Sequence, residues 1–310
     1  MSQDYFIVDC HVHLYRTERQ GWMGRAINNR FDKGGTLEQL LRYMDEGGVA
    51  QSWVINAWPT KGLIQAGEAR IPKELKGSAL EEARQQVSDD VKARLERANE
   101  WLCSTAALAP GRVAPFIGLD PYWGADWMVR EIEDKHRKGA KGVKLIPTWG
   151  EFYPNDRAMW PAYARMVELG MVILSHCGGS STLFKVAFTD CALPKFWDEP
   201  LREFPKLNVV LAHTGYYRSL GYGTVEHREK LELTKKYPNV YFDLSQNNEF
   251  GYGQFQENMV RALGVEKVVW ASDWHAHRAL MGLEGLKKAN LSEAEKRLVL
   301  GENARRLVKA

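Results

Sequence analysis

The tripeptide His11-Val12-His13 closes the first apolar run of the chain, Tyr5-Phe6-Ile7-Val8-Asp9-Cys10, and constrains the fold more than any other stretch. Side chains two apart on a strand share a face, so this spacing turns both imidazoles one way and Val12 the other. Two imidazoles on one face can bite one metal ion, although a pair of strand histidines is more often structural. Three later apolar runs end alike: Val172-Ile173-Leu174-Ser175-His176, Val209-Val210-Leu211-Ala212-His213 and Val268-Val269-Trp270-Ala271-Ser272-Asp273. The repetition calls for a fold that gathers strand ends on one face.

Short runs rich in Val, Ile and Leu alternate with stretches whose apolar residues recur every three or four positions. Strands are expected near 5–10, 50–57, 113–119, 142–146, 171–175, 208–212, 239–244 and 267–272. Between the first two lies a long loop, 15–35, rich in arginine, and then a helix capped by Thr36 and stopped by Gly47-Gly48. The least regular part, about 58–105, reads as a helical insertion after the second strand, its charged helix a solvated face. Eight strands alternating with helices, without linkers, predict a single (β/α)8 TIM barrel over residues 1–310. An open doubly wound sheet is the alternative, but no GxGxxG follows any strand.

With 42 basic and 39 acidic residues the net charge is only +3, and no basic stripe or recognition motif suggests nucleic acid. No apolar stretch approaches the roughly 20 residues that span a bilayer. Strand sequence begins within a few residues of Met1, so the cytoplasm is the expected compartment. Four cysteines, at 10, 103, 177 and 191, form no CxxC pair and are expected to be reduced thiols.

In a barrel of this type the C-terminal strand ends face one pocket, which would unite His11, His13, His176, His213 and Asp273 across 262 positions of sequence. Imidazoles with one carboxylate suit a divalent transition metal, Zn first and Mn as the alternative, with a position left for water or substrate. Asp273 would accept a proton from that water, and His213 would polarise a carbonyl or donate a proton.

The chain resembles the amidohydrolase superfamily, in the amidohydrolase-related branch of aminocarboxymuconate semialdehyde decarboxylase-like enzymes. The resemblance covers nearly the whole chain. It rests on Asp9-Cys10-His11-Val12-His13, Lys141-Gly142-Val143-Lys144-Leu145, Tyr153-Pro154-Asn155-Asp156, Leu174-Ser175-His176, Leu211-Ala212-His213-Thr214-Gly215, Ser272-Asp273 and Gly301-Glu302-Asn303-Ala304-Arg305-Arg306-Leu307. It implies one metal held by His11, His13, His176 and Asp273, with His213 as catalytic acid or base. Binuclear relatives use a lysine carbamate near the position of Lys144; here Lys144 is read as a lysine salt-bridged inside the barrel mouth and a candidate substrate contact. His275 and His277 repeat the HxH spacing beyond the last strand and are expected to stay off the metal.

Aromatic and guanidinium groups in the active-face loops suit a planar or carboxylated small molecule. Arg218, Trp149, Tyr216, Trp274 and Arg25 are the candidate contacts, Arg218 first. Three functions are compatible with these residues: a metal-dependent hydrolase of an amide, lactone, ester or activated carbon–carbon bond; a non-oxidative decarboxylase of an aromatic or unsaturated acid; and a binding protein without catalysis. Resorcylate-type decarboxylases commonly carry glutamate at the position of His11, so the resemblance favours hydrolysis. It also makes a homodimer the expected assembly.

Overall fold

The structure, a computed structural model, describes residues 5–25, 34–178, 190–215, 225–245, 253–274 and 279–308. Eight parallel strands pair in sequential order: β1 (Ile7–His13), β2 (Val49–Ile55), β3 (Val113–Gly118), β4 (Gly142–Leu145), β5 (Val172–Ser175), β6 (Val209–Leu211), β7 (Val240–Asp243) and β8 (Val268–Val269). Helices stand between them, so the chain is a (β/α)8 barrel. Alternation sorts the strand side chains into two layers. Val8, Trp53, Ile55, Phe116, Leu174, Val210 and Val269 fill the interior. Ile7, Val54, Ile117, Val143, Ile173 and Val268 pack outward with the helices.

The first long helix, Leu37–Gly47, starts where its sequence says. Thr36 and Gln39 form a reciprocal capping box, and Gly48 ends the helix in the left-handed region that glycine enters without strain. Two expectations need correction. The stretch 15–35 is not all loop, because Glu18–Arg25 is helical. The helical stretch expected after β2 is present, as helix Thr60–Glu68 and the 32-residue helix Gly77–Leu108, which lead directly into β3, but the long helix is not only a solvated face. It buries Val91, Leu95, Asn99, Leu102 and Cys103, and the Asn99 amide grips both backbone groups of Gly118 at 2.9 Å.

The closing motif is structural. The Asn303 amide donates to the carbonyls of Val265 and Val268 at 2.7 and 2.8 Å, fixing the entry to β8. Gly301 lies so close to the Phe6 carbonyl that any Cβ would collide with it, so the chain around it can come this near to the start of β1 only because a glycine stands there.

Candidate metal centre

Along β1 the side-chain alternation slips once. Val8 and Cys10 belong to the barrel interior, whereas Val12 belongs to the outer layer. The slip falls where pairing with β2 shifts register, between Asp9 and Val12. An irregularity of this kind re-aims side chains, and here it directs His11 and His13 inward on either side of Val12.

His11 is buried, and its Nδ1 lies 2.9 Å from Asp243 Oδ2 at the end of β7. Asp243 is ionised, so that ring nitrogen carries the hydrogen and the lone pair falls on Nε2. Burial raises the Asp243 carboxyl, but the His11 hydrogen bond and the adjacent imidazoles outweigh it and hold the group below its ordinary range. His11 Nε2 lies 3.6 Å, and His13 Nε2 3.0 Å, from the same Asp273 oxygen. One ligand atom from each of the three lies within 4.8 Å of the others. Burial opposes ionisation of Asp273, yet the His13 hydrogen bond and the histidine cluster keep it well below the usual carboxylate range. Burial and the Lys144 charge lower the His11 pKa, so it stays neutral. Two imidazoles and an ionised carboxylate at this separation are a donor set that fits a divalent cation.

Asp273 reaches this position from beyond the strand. β8 ends at Val269, and Asp273 has φ 59°, left-handed for a non-glycine residue. Asp9 holds the turn. Its carboxylate accepts from the Ser272 amide at 2.9 Å, the Ser272 hydroxyl at 2.5 Å, the Tyr43 hydroxyl at 2.8 Å and the His11 amide at 3.3 Å. Ser272 Oγ in turn accepts from the Trp274 amide at 2.9 Å, and the Trp274 carbonyl accepts from the His13 amide at 2.6 Å. Burial lifts the Asp9 carboxyl to about 7, against the pull of these donors.

His213 follows β6 in a second left-handed turn, with φ 63° at His213 and 40° at Thr214. Asp243 Oδ1 fixes it by accepting the His213 amide at 2.7 Å. The ring is buried, 4.9 Å from the rings of both His11 and His176. Burial first, then the neighbouring His176 and His11, push its pKa well below that of free histidine, so it is a neutral base or hydrogen-bond acceptor at neutral pH. Three of the four described non-glycine residues with positive φ thus sit at this centre, a concentration of backbone strain typical of functional sites. His176 joins through His213, its Nδ1 3.1 Å from His213 Nε2, outside the tight His11–His13–Asp273 set.

Lys144 is buried inside the mouth, but not in a salt bridge: among the described residues no carboxylate pairs with it, and its Nζ lies 3.2 Å from His11 Nε2. Burial lowers its pKa to about 8, opposed by the Asp243 and Asp273 charges. Trp149 stands partly exposed on the short helix Pro147–Gly150. Trp274 is buried, its ring 5.4 Å from that of Tyr43, turned into the barrel wall instead of the mouth. Tyr216, Arg218, His275 and His277 lie outside the described residues, as does the side chain of Arg25.

Sequence reasoning missed Asp243, Ser245 and the bracing role of Asp9. Asp243 had a signal, since Val240-Tyr241-Phe242-Asp243 ends on a polar residue like the other four runs. Ser245 had none, because its role exists only in the folded hydrogen-bond network.

A family model described as Amidohydrolase matches residues 8–310. No curated protein sequence matches the chain. Among solved structures, 5-carboxyvanillate decarboxylase from Sphingomonas paucimobilis is similar, with 17% identity, TM-score 0.66 and coverage of 97% of this chain and 98% of that one. A dihydroxybenzoic acid decarboxylase from Polaromonas, with bound manganese and the inhibitor 2-nitroresorcinol, aligns at 15% identity and TM-score 0.65 over 98% and 96% of the two chains. A probable 2-pyrone-4,6-dicarboxylic acid hydrolase from Acinetobacter baumannii, with citric acid bound, aligns at 15% identity and TM-score 0.61 over 97% and 98%.

Proposed function

The chain belongs to the amidohydrolase family, and on that premise we propose that it is a metal-dependent hydrolase of a small organic molecule carrying an amide, lactone, ester or activated carbon–carbon bond. The observation that carries this reading is the His11–His13–Asp273 donor set beside the neutral, buried His213. In this proposal His11, His13, His176 and Asp273 hold one divalent ion, Zn or, as in the Polaromonas relative, Mn. Such an ion supplies Lewis acidity that brings the pKa of a bound water to about 7. Asp273, ionised at neutral pH, takes up the proton that the attacking water gives up. His213, neutral, receives that proton from Asp273 on its free ring nitrogen and passes it to the leaving group. Substrate contacts are assigned to Lys144, Trp149, Arg25, Tyr216 and Arg218, with Trp274 shaping the wall behind them.

Decarboxylation is the second reading. The Lys144 ammonium gives a carboxylate a seat inside the mouth, and two of the similar structures carry decarboxylase names. There the carbon–carbon bond to the carboxylate breaks, carbon dioxide leaves, and the electron pair left on carbon takes a proton that His213 or Asp273 has first received from water or from a hydroxyl of the substrate. The two readings separate in one experiment: Zn- or Mn-loaded protein is incubated in ¹⁸O-water with lactones, esters and hydroxyaromatic acids. Label in the product acid supports hydrolysis, whereas carbon dioxide without label supports decarboxylation. Neither product from any substrate would leave the binding-protein reading. No described helix is long and apolar enough to cross a membrane. A single domain over 1–310, a cytoplasmic location and a homodimer complete the proposal.

A further inference from the structure

Ser245 lies two residues past the end of β7, with its hydroxyl between three groups of the centre. Its Oγ is 2.6 Å from Asp243 Oδ1, 2.7 Å from His213 Nδ1 and 3.3 Å from His11 Nδ1. A hydroxyl has one hydrogen to give. The ionised carboxylate at 2.6 Å is the strongest acceptor within reach, and the separation is that of a charge-assisted O–H···O⁻ bond. Asp243 is itself held in place, because the same Oδ1 accepts the amides of His213 and Ser245, while Oδ2 takes the His11 ring hydrogen. With its hydrogen committed to Asp243, Ser245 Oγ faces His213 only as an acceptor.

We infer that Ser245 is a positioning residue that fixes the proton arrangement of the centre: His213 carries its hydrogen on Nδ1 and its lone pair on Nε2, and His176 is set in turn. The second part follows from the 3.1 Å contact between His213 Nε2 and His176 Nδ1. A lone pair on His213 Nε2 requires the hydrogen on His176 Nδ1, which moves the His176 lone pair to Nε2, a ligand-type atom. One carboxylate thereby sets three imidazoles, His11 directly and the other two through Ser245. A serine interposed between carboxylate and histidine also means that the Asp243 charge acts on the His213 ring only across space, whereas His11 is oriented by direct contact.

This deepens the proposed reading of His213 as acid or base, but its test reads the imidazole nitrogens and needs no substrate. The Zn-loaded full-length chain, labelled with ¹⁵N-histidine, is examined by long-range ¹⁵N–¹H correlation, with His213→Gln and His176→Gln to assign the signals. The expected result is a protonated-type Nδ1 and an unprotonated-type Nε2 for His213 in the parent. Ser245→Ala should abolish that preference, and Ser245→Thr, which keeps the hydroxyl, should restore it. A His213 with its hydrogen on Nε2 in the parent would overturn the inference whether or not Ser245→Ala folds, and so would a Ser245→Ala chain with the parent pattern. If the parent shows the pattern but no hydrolysis or decarboxylation is found, the proton arrangement stands and the functional reading fails. With an active substrate, Ser245→Ala should lower kcat by about 10²-fold, the scale of a lost general base, with little change in KM.

Discussion

Replacing Asp9 with alanine should weaken metal binding without touching a ligand. Asp9 accepts two hydrogen bonds from Ser272, and that residue leads into the turn that carries Asp273 at φ 59°. A non-glycine residue held left-handed costs ~1–2 kcal/mol, which the Asp9 bracket meets in the metal-free protein. Without the bracket the turn relaxes, and binding must restore it. At 1.4 kcal/mol per factor of ten, affinity for Zn²⁺ should fall by about 5- to 30-fold. The same substitution strands the buried amides of Ser272 and His11, each at a cost of ~1–3 kcal/mol, so the fold should lose about 2–6 kcal/mol. Competition for Zn²⁺ against a chromophoric chelator gives the affinity, and a urea melt of the metal-free protein gives the stability. Tyr43→Phe is the control, because it removes one donor to the same carboxylate while leaving both Ser272 bonds to Asp9 and the ring packed on Trp274. Its affinity should stay within about twofold of the parent. A folded Asp9→Ala chain with parental Zn²⁺ affinity would refute the bracket, as would a Tyr43→Phe chain that loses as much.

Three further outcomes follow from the same geometry. Asp120, buried two residues past β3, has its carboxyl raised to about 6 by burial, against the hydrogen bond from the Tyr122 amide. Between 3.8 and about 6 the folded chain keeps a proton that the unfolded chain has lost, so stability falls as pH rises through that window, by about 3 kcal/mol. Asp120→Asn should remove that slope, and denaturation curves of parent and variant that run parallel between about pH 4 and about pH 6.5 would contradict it. His11→Ala and Asp273→Ala should each take bound metal from about one equivalent towards none by elemental analysis, with the circular dichroism of the barrel retained. Two equivalents in the parent would instead place a second ion beside Lys144. Gly142→Ala should destabilise by ~3 kcal/mol or more in a urea melt, because the new Cβ would overlap both the Phe116 ring and the Val172 carbonyl, a backbone atom that cannot step aside. A loss under about 1 kcal/mol would show that β4 and β5 can separate at that point.

The barrel was legible in the sequence because its signals are local. Thr36 and Gly48 mark the ends of their helix, and each apolar run is a strand. The pairing of His11 with His13 was legible as spacing, but their inward direction was not, since it depends on the slip between Cys10 and Val12 that only pairing with β2 reveals. Asp273 could be singled out as a strand-end carboxylate, yet β8 stops at Val269 and a left-handed turn makes up the difference. Asp9, Asp243 and Ser245 act through partners as far as 263 positions away, and no window of sequence contains such a contact. Lys144 illustrates the opposite error. A buried lysine beside two carboxylates reads as an ion pair, but the fold sets an imidazole nearest to it.

Among the described residues the barrel closes between its first and last strands with little ladder: one bridge, Val12 to Trp274, a few backbone bonds and the Asp9 carboxylate. His11 and His13 stand on one side of that seam and Asp273 on the other. A cation bound by all three therefore acts as a clasp on a ring of 263 residues, counted from His11 to Asp273. Closing so long a loop costs an open chain about 5 kcal/mol in entropy, and a folded barrel has already met that cost before the ion arrives. High affinity is thus reserved for a chain that has been completed to its last strand, and a truncated or half-folded copy offers two histidines and no clasp. Metal retention becomes a readout of barrel closure, and a chelator should loosen the join between the two ends of the chain before any other part of the wall.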